Sequence, residues 1–318
     1  FIKEKIFTLK YIEKNFHKCY SSVTGSIREG KGIMEQNHFI QCIEETYHSL
    51  TKAEKKVADF VLRNARQVLF MSITDLADAC QVGETSVYRF CRSLNMQGYQ
   101  EFKVQLSLGM TDPQEKAKIP AGNELLGETL NETAEKIMQS HLGALRETYS
   151  LLKQDEVETF LEKMEHADRI FFMGIGDSLL IAQEACHKFA SITGKAYCIS
   201  DPHMQVITAS SMTDRDFVVI ISYSGATKDN ICTAKAARQA GASIGCITRF
   251  KKSPLTAYSD VTLLCGASEG PMDGGSISAK VSQLYLIDLL YQEYFTRHYE
   301  SCRKARERAS RALVEKII

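Results

Sequence analysis

Two rhythms of apolar residues divide the chain. Between about residues 50 and 95 they recur every three or four positions, the period of amphipathic helices. Thr51-Lys52-Ala53-Glu54 is a capping box, the threonine hydroxyl meeting the third helical N–H while the glutamate reaches back. Ala53, Val57, Phe60, Val61 and Leu62 keep helical spacing behind it. A second helix is predicted from Ile73, capped by Ser72, with Leu76, Ala77 and Cys80 on its inner face. A third, from about Glu84, turns Val87, Phe90, Cys91 and Leu94 inward. Helices this short need one another for a core.

The periodicity stops after Met110, and Pro113, Pro120 and Gly122 mark a linker over residues 111–126. Leu130, Ala134, Ile137, His141, Leu145 and Leu152 then draw a long amphipathic stripe, and Val157, Phe160, Leu161 and Met164 a shorter helix. Both are expected to pack against the region that begins at Arg169. There the second rhythm starts, with short apolar runs at Ile170–Met173, Ala196–Ile199, Phe217–Ile221, Ile244–Ile247 and Val261–Leu264. The runs do not alternate with polar residues, and helical stretches such as Ser178–Ala190 and Lys228–Ala240 separate them. That pattern predicts five parallel strands in β-α-β units, buried on both faces. A last long helix over about Ser278–Tyr294 leads into the basic run Arg303-Lys304-Ala305-Arg306-Glu307-Arg308. The fold class is therefore α/β: an all-α domain at residues 34–110, the linker, and a five-stranded parallel-sheet domain with flanking helices at 127–318.

Composition narrows the function classes. With 39 Lys plus Arg against 39 Asp plus Glu in 318 residues, any nucleic-acid contact must arise from local clustering rather than net attraction. The longest apolar runs are too short to cross a bilayer, so no membrane partner is expected. The 10 cysteines form no Cys-x-x-Cys pair and no zinc-type grouping. They read as reduced, buried small hydrophobes in a cytoplasm, with no metal and no cofactor implied. The first Met is Met34, just downstream of Arg28-Glu29-Gly30-Lys31-Gly32, residue types that all-purine codons specify. Residues 1–33 are expected to be a translated leader or, alternatively, a basic arm, since they hold 7 Lys plus Arg against 3 acids.

The stretch Ile73–Leu94 has the layout of a DNA-reading helix-turn-helix. Ala77 is the small residue where two helices cross, Val82 plugs the turn, and Val87 and Phe90 hold the second helix. Thr85, Ser86, Tyr88, Arg89 and Arg92 are left facing outward, hydroxyls and arginines suited to phosphates and base edges. Residues 34–110 hold 8 Lys plus Arg and 9 acids, but Thr85–Lys103 is locally basic, and Lys103 is grouped with the DNA face. The run Leu76-Ala77-Asp78-Ala79-Cys80-Gln81-Val82-Gly83-Glu84-Thr85-Ser86-Val87-Tyr88-Arg89-Phe90-Cys91-Arg92, followed by Gly98-Tyr99-Gln100-Glu101-Phe102-Lys103, resembles the N-terminal domain of the RpiR family of bacterial transcriptional regulators. Where family members commonly have Gly then Val-Ser in the turn, this chain has Gln81 and, in the serine position, Gly83.

Two further segments read as phosphate loops. Gly174-Ile175-Gly176-Asp177-Ser178 follows the first strand and opens a helix, where free N–H groups and a hydroxyl suit an anion. A dinucleotide fingerprint is excluded because Leu179 replaces its third glycine. Ser222-Tyr223-Ser224-Gly225-Ala226-Thr227 ends the third strand with three hydroxyls and a glycine, a nest for a phosphate. It is no nucleophile elbow, since residue 222 is Ser. The two loops at one sheet edge resemble the sugar isomerase (SIS) domain over about Arg169–Glu269. That resemblance implies a phosphate held by Ser178, Ser222, Ser224 and Thr227, with Glu269 and Lys280 reaching the sugar. Thr248–Leu255, with Ser253-Pro254-Leu255, is also similar to the RpiR-type segment after the fourth strand.

Together the resemblances imply a regulator of carbohydrate metabolism that binds a double-stranded DNA operator and senses a phosphorylated sugar, as a homodimer or homotetramer. The alternative is an aldose-ketose phosphate isomerase, which needs a general base; Glu184, His187, His203 and Glu269 are its candidates. The helix-turn-helix favours a regulator that is not an enzyme.

Overall fold

The computed structural model describes residues 38–110, 129–267 and 276–314. The expected leader at 1–33, the expected linker at 111–126, and Glu269 lie outside the described residues.

In the N-terminal part, α1 (His38–Thr46), α2 (Lys52–Val68), α3 (Ile73–Cys80), α4 (Glu84–Ser93) and α5 (Tyr99–Met110) close around one apolar core. Both expected caps are formed: Thr51 with Glu54 opens α2, and Ser72 with Asp75 opens α3. The two helices beyond the three expected complete the shell, because α1 inserts Phe39 and Ile43 and α5 inserts Phe102 and Leu106. Phe102 meets Phe90 edge-on at 5.5 Å between ring centroids and stacks on Tyr99 at 6.1 Å. Each fully buried side chain of this size stabilises the domain by about 1.5–3 kcal/mol.

The α/β part begins with α6 (Leu130–Leu151) and α7 (Gln154–His166). Next come β1 (Arg169–Gly174), α8 (Asp177–Thr193), β2 (Ala196–Cys198), α9 (Pro202–Ser210), β3 (Asp216–Ile221), α10 (Lys228–Ala240), β4 (Ser243–Thr248), β5 (Val261–Leu264), α11 (Ile277–Arg297) and α12 (Tyr299–Val314). The five strands pair in parallel in the order β2-β1-β3-β4-β5. Alternate residues of β1, β3 and β4 fill opposite cores, which is why those runs are apolar throughout. At the sheet edges β2 and β5 feed one core only and Tyr197 is exposed, against the expectation that all five strands are buried on both faces. Phe172, Val219 and Ile221 share a core with Phe189 of α8 and Leu286 of α11, while Phe171, Val218 and Ile220 join Ala234 and Ala237 of α10. At the amino edge Arg169 donates from Nε and Nη2 to the two carboxylate oxygens of Asp216, each at 2.7 Å, which locks β1 to β3. Lys195 closes the carboxyl end of α7 by donating to the carbonyls of Met164, Glu165 and Ala167 at 2.8–3.0 Å.

Strand order decides where a ligand can sit. The chain leaves β1 toward β2 on one side and leaves β3 toward β4 on the other, so a crevice opens between the carboxyl ends of β1 and β3. The first-strand and third-strand loops of the sequence border it.

The stripe on α6 packs only at its C-terminal half. There Ala144 and Thr148 are buried, and Thr148 Oγ1 accepts from Gly266 N at 2.9 Å. Of the stripe, Leu130, Ala134 and Ile137 are exposed, as is Met138 beside them, while His141, Leu145 and Leu152 are half-buried, so the expected packing of this helix is confined to its second half. Between the helical part and the sheet, Ser72 Oγ lies 3.2 Å from Lys252 O, and Lys252 Nζ pairs with Asp78 at 2.5 Å. No helix among the described residues is long and apolar enough to cross a membrane. Among the same residues no group of three or more His, Cys, Asp or Glu could hold a metal.

Candidate functional site

The crevice holds a cavity of about 260 Å3 lined by Ile175, Asp177, Ser178, Ser222, Tyr223, Ser224, Thr227, Ser276, Ala279, Lys280 and Gln283. Five of the residues expected to hold a ligand, Ser178, Ser222, Ser224, Thr227 and Lys280, thus share one space. Two helix N-termini end at it, because Gly176 is the N-cap of α8 and Thr227 that of α10. Free N–H groups and the positive ends of two helix dipoles therefore meet there. The hydroxyls of Ser178, Ser222 and Thr227 have no hydrogen-bond partner among the described residues, and the Thr227 hydroxyl does not cap its own helix. Ser222 is nonetheless 2% exposed. Ser224 Oγ accepts from Ala226 N at 3.2 Å and keeps its proton to donate.

The glycines shape the loops, and none of Gly174, Gly176 and Gly225 lines the cavity. Gly225 has φ +60°, and a Cβ there would lie 2.6 Å from Ser253 Cβ and closer still to its hydroxyl. Leu255 N donates to Gly225 O at 2.9 Å, so the third-strand loop is clamped to the segment after β4. At Gly174 a Cβ would come within 2.9 Å of the Ser178 backbone, and Gln205 Nε2 donates to Gly174 O at 3.0 Å.

The opposite wall comes from the start of α11. Positions 276, 279, 280 and 283 fall on one helical face, and Lys280 Nζ lies 3.1 Å from Asp177 Oδ1 across the cavity. Asp177, Ser276 and Gln283 escaped the sequence reading; the helical spacing from Lys280 was the signal that could have found Ser276 and Gln283. Of the candidate bases, Glu184, His187 and His203 do not line this cavity, and His187 only approaches Glu184 at 3.9 Å on the surface. A larger hollow of about 560 Å3, bordered by Phe295, Tyr299, Arg303 and Arg306, shares no residue with the two loops.

On the other domain, α4 exposes Thr85, Tyr88, Arg89 and Arg92 and half-exposes Ser86, while Val87, Phe90 and Cys91 point into the core. The turn before it forms despite Gln81, which adopts a left-handed conformation (φ 52°, ψ 50°) and closes α3 by donating its N–H to the Ala77 and Asp78 carbonyls. Thr74 of α3 donates its hydroxyl to Glu84 of α4, a tie between the two helices that sequence reasoning missed. Lys103 does not join the DNA face. It is 7% exposed, its Nζ donates to Met71 O at 3.4 Å and lies 5.2 Å from the Tyr99 ring centroid, and burial pushes its pKa down to about 8.

A helix-turn-helix domain described as of the rpiR family matches residues 38–112, and the SIS domain matches residues 163–292. A helix-turn-helix-type transcriptional regulator of Haemophilus influenzae is 31% identical over 260 residues, 81% of this chain and 90% of that protein. The chain belongs to the RpiR family. Among solved structures, the Vibrio vulnificus NanR protein complexed with ManNAc-6P superposes with a TM-score of 0.77 at 25% identity, over 87% of this chain and 98% of that one. The sugar isomerase domain of an RpiR transcription factor from Sphaerobacter thermophilus shares the fold, with a TM-score of 0.53 at 19% identity over 57% of this chain and 99% of that one. In this RpiR-family chain the helix-turn-helix precedes a SIS sugar-sensing domain.

Proposed function

We propose that this RpiR-family chain is a DNA-binding regulator of carbohydrate metabolism whose SIS cavity senses a phosphorylated sugar and performs no catalysis. One observation carries the reading: the uncommitted hydroxyls of Ser178, Ser222 and Thr227 converge where two helix N-termini meet. Hydroxyl and N–H donors suit a phosphate ester, and the related NanR protein was solved with ManNAc-6P. The lone carboxylate on the cavity wall among the described residues is Asp177, tied to Lys280 rather than poised as a free base. That supports the regulator over the isomerase. Arg89 and Arg92 read the operator from α4, and Thr85, Ser86 and Tyr88 complete its exposed face. The exposed Leu130, Ile137 and Met138 of α6 support pairing with a second copy, so that two recognition helices read a pseudo-palindrome as a homodimer or homotetramer.

Thermal unfolding of the full chain tests the ligand. A hexose phosphate at a hundred times its Kd stabilises by about 2.7 kcal/mol, the free hexose should not stabilise, and Ser222→Ala should weaken the ester by about 1–3 kcal/mol. Equal stabilisation by free and phosphorylated sugar would refute the phosphate cradle.

A further inference from the structure

The wall facing the hydroxyl loops contains a buried amide that no described residue satisfies. Gln283 is 2% exposed, lines the cavity, and has no hydrogen-bond partner among the described residues. Side-chain amides buried this deeply are ordinarily hydrogen-bonded. Gln205 shows the structural use of such a group in the same domain, since it is fully buried and its Nε2 donates to the carbonyls of Gly174 and Ile199. Gln283 makes no such bond and borders the ligand space instead.

We propose that Gln283 is the specificity-determining residue of the cavity, reading a neutral polar substituent on the sugar of a monophosphate ester. This role rests on the phosphate cradle and adds the chemistry of the ligand's other end. An amide both donates and accepts, so it matches a hydroxyl or an acylamino group. The only charges lining the cavity among the described residues, Lys280 of that wall and Asp177 opposite it, neutralise each other at 3.1 Å. A second anionic group on the ligand would find that cation already paired and would face Asp177; a free ammonium would face Lys280 and find its carboxylate already engaged. At about 260 Å3 the cavity sits near the lower bound of small-molecule sites, roughly 300 Å3, a size for one monosaccharide.

Isothermal titration of the full chain tests this with inorganic phosphate, N-acetylmannosamine 6-phosphate, glucose 6-phosphate, glucosamine 6-phosphate and 6-phosphogluconate. The best neutral ester is expected to bind about tenfold or more tightly than inorganic phosphate, glucosamine 6-phosphate or 6-phosphogluconate. Gln283→Leu should remove that advantage while leaving inorganic phosphate within about twofold of its original affinity, because the hydroxyl loops are untouched. An equal loss for phosphate and ester would make Gln283 a structural wall, and an unchanged ester affinity would show that it reads nothing; either overturns the proposal. Should the leucine variant fail to fold, equal binding of 6-phosphogluconate and the best neutral ester by the unsubstituted chain overturns it as well. If the unsubstituted chain binds neither inorganic phosphate nor any ester, the phosphate cradle itself fails and this inference falls with it.

Discussion

The turn that aims the DNA-reading helix and the loop that borders the cavity both require a residue at positive φ, and they fill the position differently. The helix-turn-helix has Gln81 at φ 52°, with its side chain exposed to solvent. The cavity loop has Gly225 at φ +60°, packed against Ser253 and Thr248. A left-handed conformation alone costs an ordinary residue about 1–2 kcal/mol, which a small domain tolerates. A left-handed conformation pressed against a neighbouring segment leaves no room for a Cβ at all. The DNA side of the molecule is thus held by local strain that a side chain survives, and the ligand side by close packing that it does not.

Gly225→Ala is expected to have the largest effect. The added methyl collides with Ser253 and inherits the backbone strain, so a loss of about 2–4 kcal/mol in urea unfolding is expected, together with loss of sugar-phosphate binding by calorimetry. A variant that keeps both would show that the clamp between the third-strand loop and the segment after β4 is dispensable.

Lys103 gives the next largest effect and lies on the DNA side. Its folded pKa of about 8 is below the unfolded value of 10.5, so the ammonium is held in the folded domain at a cost. Below pH 8 both states are protonated and stability from this group is flat. Between pH 8 and 10.5 the unfolded chain binds more protons, so the group raises stability with pH, by up to about 3 kcal/mol. Lys103→Met should remove this dependence and raise stability at pH 7 by about 1–2 kcal/mol. Unfolding midpoints across pH 7–10 check it; a flat profile in the unsubstituted chain would contradict the buried charge. Gln81→Gly is the smallest change. It relieves the left-handed strain and should add about 0.5–1 kcal/mol in the same urea assay without altering sugar-phosphate binding.

The same two regions differ in how much the sequence disclosed. The three central strands were legible because burial on both faces makes each run continuously apolar, and the edge strands β2 and β5 because short apolar runs recur between the helices. The α9 helix was not, since Met204 and Ile207 are exposed while Gln205 is buried, which hides its inner face. Hydroxyls clustered after β3 announced one wall of the cavity, yet the wall opposite them did not announce itself. Gln283 stands beside Leu284, Tyr285, Leu286 and Ile287, and only the docking of α11 over the crevice turns it inward. Lys103 misled for the converse reason: a lysine near a recognition helix reads as a phosphate contact until tertiary packing lays it over Tyr99. Residues whose role depends on a partner distant in sequence were the ones the periodicity could not place.

Whether ligand occupancy of the SIS cavity governs DNA binding by α4 is decided by one titration. The full chain is bound to a duplex that it has itself selected from a random pool, and its affinity is measured with and without a saturating hexose phosphate. A shift of about five- to 150-fold in operator affinity is expected, absent with the free hexose. Superimposable binding curves at a concentration where calorimetry shows the cavity saturated would contradict it.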